Sequence, residues 1–412
     1  MDGVNSLNSH INRIAHEVNE NGDSALIKYT SKYDAIELNL ESLEVSKEEW
    51  NREAAKVDSE LWNILQKAAD NIENYAREQK NNLSIESEIN NNGIKIKDRL
   101  ILIEKVGVYV PGGEHPYPST VLMCAIPAKA AGVNDVVMVT PPGNLKPSVL
   151  AAAKIAKVDR IFRVGGAHAI AALACGTESI PRVDMVVGPG NKYVQEAKRY
   201  FFGGQLVDVM SNTTLNIGID MVAGPSEVVI IADEAQDPEW IAADLLAQAE
   251  HADDAYATLL TTSEKLSKQV SELIPEELQK RISIEGDIYN DLEETVAQSN
   301  IIAPEHLQLM LTEENLKKVE NKIRNAGAVF VGRLTPVAVG DYWAGPSHTL
   351  PTGSSAKYSE GLNVRTFYKN VSFIKCDSEI VARDYADIAK FADTEGMKYH
   401  AESIRQRLEK DE

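Results

Sequence analysis

Val106-Gly107-Val108-Tyr109-Val110-Pro111-Gly112-Gly113 decides the fold of this chain. It is a short, β-rich apolar run, closed by Pro-Gly-Gly and followed from about Ser119 by a helical pattern. The same strand–glycine–helix unit recurs downstream. Residues 135–140 lead through Pro141-Pro142-Gly143-Asn144 into a helix near 148–156. Residues 160–164 lead through Gly165-Gly166 into an Ala-rich helix, and residues 184–187 lead through Gly188-Pro189-Gly190-Asn191 into a helix ending near Tyr200. Repeated βα units predict a mostly parallel, doubly wound α/β sheet. A second series opens at residues 227–232 and runs through the helix that carries Gln248, with further buried strands at 257–261 and 328–331. Residues 203–217 read as an irregular loop between the two series. Upstream, residues 5–80 have apolar positions at helical spacing, and the Asn-rich stretch 81–100 reads as a hairpin or exposed connector. The last fifty or so residues read as mainly helical and charged.

A chain of 412 residues exceeds one ordinary core, so more than one domain is expected. A composition of 43% hydrophobic and 25% charged residues is that of a globular protein, and no apolar run is long enough to span a bilayer. The polar, acidic N-terminal stretch resembles neither a secretory signal nor a basic transit peptide. Cys124, Cys175 and Cys376 form no CxxC, which fits a reducing compartment and a cytoplasmic location. A net charge of −20 argues against nucleic-acid and anionic-membrane partners.

Several stretches can carry chemistry. In Asp244-Leu245-Leu246-Ala247-Gln248-Ala249-Glu250-His251, Gln248 and His251 share a helix face and can address one metal or polar substrate. Ala303-Pro304-Glu305-His306-Leu307 sets an acid beside an imidazole; neighbours in sequence diverge, so the two are expected to serve separate proton transfers on one substrate. Gly340-Asp341-Tyr342 and Gly345-Pro346-Ser347-His348 form a Gly-rich loop, and Glu395 to His400 lie near the C-terminus. The dinucleotide fingerprint G-x-G-x-x-G is absent. The glycine junctions at 112–113, 165–166 and 188–190 nevertheless suit a nucleotide-sized ligand at the carboxyl edge of the sheet, where helix N-termini face an anion. No Walker A, Gly-x-Ser-x-Gly or His-Glu-x-x-His occurs, and Cys124 and Cys175 sit in Ala-rich surroundings that suit structural thiols.

Together these segments resemble the histidinol dehydrogenases over nearly the whole chain. The resemblance is carried by 106–113 with 118–123, by 165–177, by 183–197 and by 220–228 (DMVAGPSEV). It continues through the Gln248–His251 stretch, 302–307 (IAPEHL) and 340–352 (GDYWAGPSHTLPT). It implies four-electron oxidation of L-histidinol to L-histidine through histidinal, with one zinc per subunit and two NAD per turnover. Gln248, His251, Asp341 and His400 match the zinc ligands, the last given by the partner of a domain-swapped homodimer. Glu305 and His306 match the catalytic pair. Ser226, His348 and Glu395 match substrate positions, which also include Gln248, His251, His306, Asp341 and His400. Tyr109, His168 and Asn191 match NAD contacts. The implied architecture is two Rossmann-like doubly wound domains, aldehyde-dehydrogenase-like, with small N- and C-terminal helical segments exchanged between subunits. On that reading residues 1–108 and 228–360 form a discontinuous domain with the metal and catalytic residues, 109–227 an inserted NAD-binding domain, and 361–412 a mainly helical extension to the partner's site. Two departures stand out: His168 replaces the family's Gln, and the segment between Asn191 and Ser226 is longer than usual, with the extra residues expected in 203–217. Ser226 and residues 358–364 set the chain nearer this family than its relatives that oxidise a sulfonated propanediol.

Overall fold

The computed structural model describes residues 2–113, 115–208, 213–286 and 289–408. They form two compact units, one comprising the chain up to Asn81 together with Ile103–Phe367, the other Asn82–Leu102 together with the chain from Tyr368. Three helices come first: α1 (Asp2–Asp34), α2 (Lys47–Ala54) and α3 (Ser59–Asn81). The apolar face of α1, with Ile11, Ile14, Ala15 and Val18 all buried, continues past a bend at Gly22 (φ +48°) into Ala25, Leu26 and Tyr29. The bend is fixed from outside the helix: the buried Asp23 carboxylate accepts hydrogen bonds from Thr177 Oγ1 and Ser179 Oγ, each 2.6 Å. The Asn-rich stretch is a hairpin, β1 (Glu86–Asn91) and β2 (Ile94–Leu102), turning at Asn92-Gly93, both of which have positive φ.

The first sheet contains β3 (Lys105–Tyr109), β4 (Asp135–Val139), β5 (Arg160–Phe162) and β6 (Met185–Val187), linked by α4 (Pro118–Ala131), α5 (Pro147–Ile155) and α6 (Gly166–Cys175). After α7 (Lys192–Phe202), the strands β7 (Leu206–Asp208) and β8 (Thr213–Leu215) make an antiparallel pair where an irregular loop is expected. Of the expected insertion at 203–217, residues 209–212 lie outside the described residues. β9 (Gly218–Ile219) then completes a parallel sheet of order β5-β4-β3-β6-β9.

The second sheet is β10 (Glu227–Ala232), β11 (Tyr256–Thr261), β12 (Ile282–Glu285), β13 (His306–Met310) and β14 (Ala328–Val331), parallel throughout in the order β12-β11-β10-β13-β14. Its helices are α8 (Pro238–Ala249), α9 (Glu264–Leu273), α10 (Leu292–Ile302) and α11 (Glu313–Val319), with α12 (Val337–Tyr342) following the last strand. The two parallel sheets and their flanking helices are the doubly wound α/β fold expected from the βα units. Among the described residues, no helix is long and apolar enough to cross a membrane.

The packing of the N-terminal helices differs from the sequence grouping. The sequence grouping joins residues 1–108 to 228–360, yet α1 buries its apolar face in one core with α6 and α7, while α2 lies against α5 and α3 against α4 and α5. The small side chains of α6 (Ala169, Ala171, Ala172) let α1 approach, so the N-terminal helices cover the first sheet rather than the second. The C-terminal region is mainly helical. Besides α13 (Ser378–Thr394) and α14 (Lys398–Leu408) it contains β15 (Tyr368–Lys375), which pairs antiparallel with β2.

Candidate functional site

Glu305 and His306 stand where α10 gives way to β13. Ala303, in the left-handed region (φ +52°), ends the helix, and Glu305 precedes the first strand residue, so strand alternation does not separate the two side chains. They converge, contrary to the expected divergence: His306 Nδ1 lies 3.6 Å from Glu305 Oε2. Both are held by the start of β10. Glu305 Oε2 accepts from Ser226 Oγ (2.5 Å) and from the Glu227 amide (3.0 Å), and His306 Nδ1–H donates to the Glu227 carbonyl (3.3 Å). With its proton on Nδ1, His306 presents a lone pair at Nε2. That atom is buried with no hydrogen-bond partner among the described residues, 3.8 Å from Asp341 Oδ1. Burial sets the protonation of all three groups. It pushes the Glu305 carboxyl up to about 8, against the two hydrogen bonds it accepts. It pushes Asp341 up to about 6, with His251 pulling the other way, and brings His306 down to about 3.

His348 is half-buried, and both ring nitrogens are engaged. Nδ1–H donates to the Asp341 carbonyl (3.2 Å), and Nε2 accepts from Thr120 Oγ1 on α4 (3.3 Å). The ring therefore braces the backbone of Asp341. Gln248, near the end of α8, is buried with Nε2 unpartnered among the described residues. His251, just beyond the helix, is exposed, its Nδ1–H donating to the Ala247 carbonyl (2.9 Å). An imidazole, a carboxylate and an amide without a partner form a donor set that suits a borderline divalent cation such as zinc. Among the described residues, no three His, Cys, Asp or Glu side chains come together as a complete metal cluster. His400 on α14 and Glu395 at the end of α13 belong to the second unit, and both are exposed.

Tyr109, His168 and Asn191 line one cavity of about 670 Å³ at the carboxyl edge of the first sheet. Its rim includes Gly112, Pro141, Gly166 and, from α1, Tyr33 and Asp34. Tyr109 ends β3, and its hydroxyl accepts the Gly166 amide hydrogen (3.1 Å); burial pushes the phenol up to about 12. Asn191 caps α7, its Oδ1 accepting from the amides of Tyr193 (3.0 Å) and Val194 (3.2 Å). His168, in the first turn of α6, is fully buried near the rings of Tyr29 and Tyr33, with Nε2 against Thr30 Oγ1 (3.3 Å) and Nδ1 unpartnered among the described residues. Burial brings it down to about 3, so it is neutral at any working pH.

Sequence reasoning missed Thr120 and Glu227. Thr120 lies within the Pro118–Met123 stretch and Glu227 within DMVAGPSEV, so the segments stood out while the individual roles did not. Cys124 is buried, 3.6 Å from Thr349 Oγ1, and burial pushes its thiol up to about 12, as suits a structural residue.

The sequence profile of the histidinol dehydrogenases matches residues 2–408. The histidinol dehydrogenase of Oceanobacillus iheyensis is 44% identical over 414 residues, covering 97% of this chain and 92% of that one. That of Methanocaldococcus jannaschii is 42% identical over 408 residues, covering 96% and 91%. The crystal structure of histidinol dehydrogenase from Elizabethkingia anophelis superposes with a TM-score of 0.86 at 35% identity, covering 98% of this chain and 92% of that one. By profile, by full-length similarity and by fold, the chain belongs to the histidinol dehydrogenase family, oxidoreductases of histidine biosynthesis.

Proposed function

We propose that this chain oxidises L-histidinol through histidinal to L-histidine, as a homodimer that uses NAD and zinc. The observation that carries the reading is the convergence of Glu305 and His306 on Glu227, with the bare Nε2 of His306 facing Asp341. Gln248, His251 and Asp341, with His400 of the partner subunit, would hold the zinc ion, which would anchor and orient the substrate through its imidazole and amine. Tyr109, His168 and Asn191 would hold NAD, which supplies the hydride acceptor for both oxidations, two molecules per turnover.

The protein's own groups manage the protons. In the first oxidation His306 Nε2 takes the proton of the alcohol oxygen as hydride leaves the carbon that bears it for NAD. The Glu227 carbonyl keeps the other ring proton on Nδ1, and Asp341 lies close enough to stabilise the imidazolium that forms. In the second, Glu305 takes a proton from water as its oxygen adds to the aldehyde carbon. Both hydrogen bonds to Glu305 fall on Oε2, and a carboxyl pushed up to about 8 is a strong base once ionised. As that oxygen adds, His306 returns its Nε2 proton to the former carbonyl oxygen; neutral again, it takes a proton of the hydrate as the second hydride leaves the carbon for NAD. Ser226 fixes the Glu305 carboxyl, and His348 fixes the backbone of Asp341. The scheme leaves the thiols idle.

The test is turnover of L-histidinol followed by NADH and by product analysis, beside a sulfonated propanediol. Two NADH per L-histidine are expected. Turnover of the sulfonated diol without turnover of histidinol would overturn the substrate.

A further inference from the structure

Next to the cofactor cavity lies an ion pair that the proton chemistry does not use. Lys198 on α7 and Asp220 just after β9 meet with side chains each 1% exposed. Both also grip a single residue of the β6–α7 loop. The Gly188 amide donates to Asp220 Oδ2 (2.7 Å), and Lys198 Nζ donates to the Gly188 carbonyl (2.9 Å). Asp220 Oδ1 additionally accepts from the Met221 amide (2.7 Å). Gly188 has φ +114°, and a Cβ there would sit 2.2 Å from the Tyr109 carbonyl oxygen, so this backbone lies directly against the end of β3. One turn before Lys198, the buried Gln195 makes a second tie: Nε2 donates to the Gly190 carbonyl (3.3 Å) and Oε1 accepts from the Ala223 amide (3.0 Å). The loop so held ends in Asn191, which lines the cavity with Tyr109.

Desolvation offsets most of the attraction within a buried ion pair, and well-packed apolar side chains often hold a fold as well. What the charged pair adds is direction: a donor and an acceptor that fix both polar atoms of one peptide residue. We propose that Lys198, Asp220 and Gln195 are positioning residues for dinucleotide binding, setting loop 188–191 against the end of β3. The inference rests on the reading of this cavity as the NAD site. Misplacing a binding group by ~1 Å can cost about 100-fold, and here the loss falls on the cofactor.

The test is NADH affinity, measured by protein fluorescence on the zinc-loaded dimer, for wild type and for Asp220→Asn, Lys198→Met and Gln195→Leu. Thermal melting and steady-state kinetics accompany it. Expected is a Kd for NADH raised about tenfold or more, a KM for NAD raised in parallel, and KM for histidinol and kcat at saturating NAD within about threefold of wild type. A purely structural role would lower the melting temperature without separating the two KM values. Should Lys198→Met fail to fold, Gln195→Leu decides, since it leaves the ion pair in place and removes only the ties to Gly190 and Ala223. Folded variants with wild-type affinity would overturn the positioning role alone. A wild-type protein that does not bind NADH would overturn the cavity's assignment, and the proposal with it.

Discussion

The two parallel sheets share one strand order, third-second-first-fourth-fifth along each series, yet their candidate site residues stand on opposite edges. On the first sheet the cavity residues follow the strands: Tyr109 ends β3, Pro141 follows β4, Gly166 follows β5 and Asn191 follows β6. On the second sheet the polar groups precede the strands: Ser226 stands before β10, and Glu305 and His306 stand at the entry to β13. At a carboxyl edge the helices begin, and their free amides and positive dipole ends favour an anion such as a pyrophosphate. At an amino edge the helices end. The last turn of α8 carries Gln248, and that negative end favours a cation. Strand order therefore does not assign the chemistry; the edge on which the groups stand does.

If the amino edge is built for a cation, chelation should abolish turnover and added zinc should restore it. His251→Asn should loosen zinc more than Gln248→Ala, because imidazole is the stronger ligand, and metal content after dialysis checks the order. Full turnover by rigorously metal-free protein would break the contrast at once. Next in size, His306→Asn should slow both oxidations by about 10²–10⁴. Glu305→Gln should cripple the aldehyde half while sparing part of the alcohol half. Rapid-quench measurements on histidinol and histidinal separate these, and a Glu305→Gln enzyme that oxidised histidinal at the wild-type rate would remove the water-activating role.

A third test asks whether only the amino-edge site is shared between chains. Co-refolding His400→Asn with His251→Asn chains should regenerate activity, since each heterodimer would then hold one intact site. Verified heterodimers that stay inactive would put His400 in its own chain's site or in none. The smallest effect belongs to the carboxyl edge. His168→Gln should shift the KM for NAD by no more than about threefold and leave that for histidinol alone. It should also flatten the acid side of the stability profile. His168 is held down to about 3, so the unfolded chain binds its proton first as pH falls through about 6.5, and the native state loses up to ~1.4 kcal/mol per pH unit below that. Urea midpoints between pH 7 and pH 4 should fall less steeply in the variant than in the wild type.

The carboxyl edge was legible because its signals are local. A short apolar run, then Pro or Gly, then a helix start names a junction, and Tyr109, His168 and Asn191 sit at or just past such junctions. The amino edge has no such grammar. Glu305 gains its meaning from Ser226 and Glu227, and His306 from the Glu227 carbonyl, across 78 and 79 residues of sequence. The sequence offers an acid beside an imidazole at Glu305-His306, but not the partners that bring the two together. β13 itself hid because its centre is Gln308, a fully buried amide that donates to Asp244 Oδ2 (2.6 Å), where an apolar residue would have marked a buried strand. The packing of α1 was equally silent, for an amphipathic helix declares that it has a partner without saying which.

The pairing of β2 with β15 sets Lys95 opposite Lys375. On a chain still being synthesised, both parallel sheets are complete once Val331 has emerged, while β2 waits for Tyr368–Lys375. During that interval the β1–β2 hairpin has the β15-facing edge of β2 unpaired. A ribosome stalled there would hold a product whose cores have closed but whose open strand edge invites a second such chain, so Tyr368–Lys375, made after both sheets, is also what covers that edge of β2.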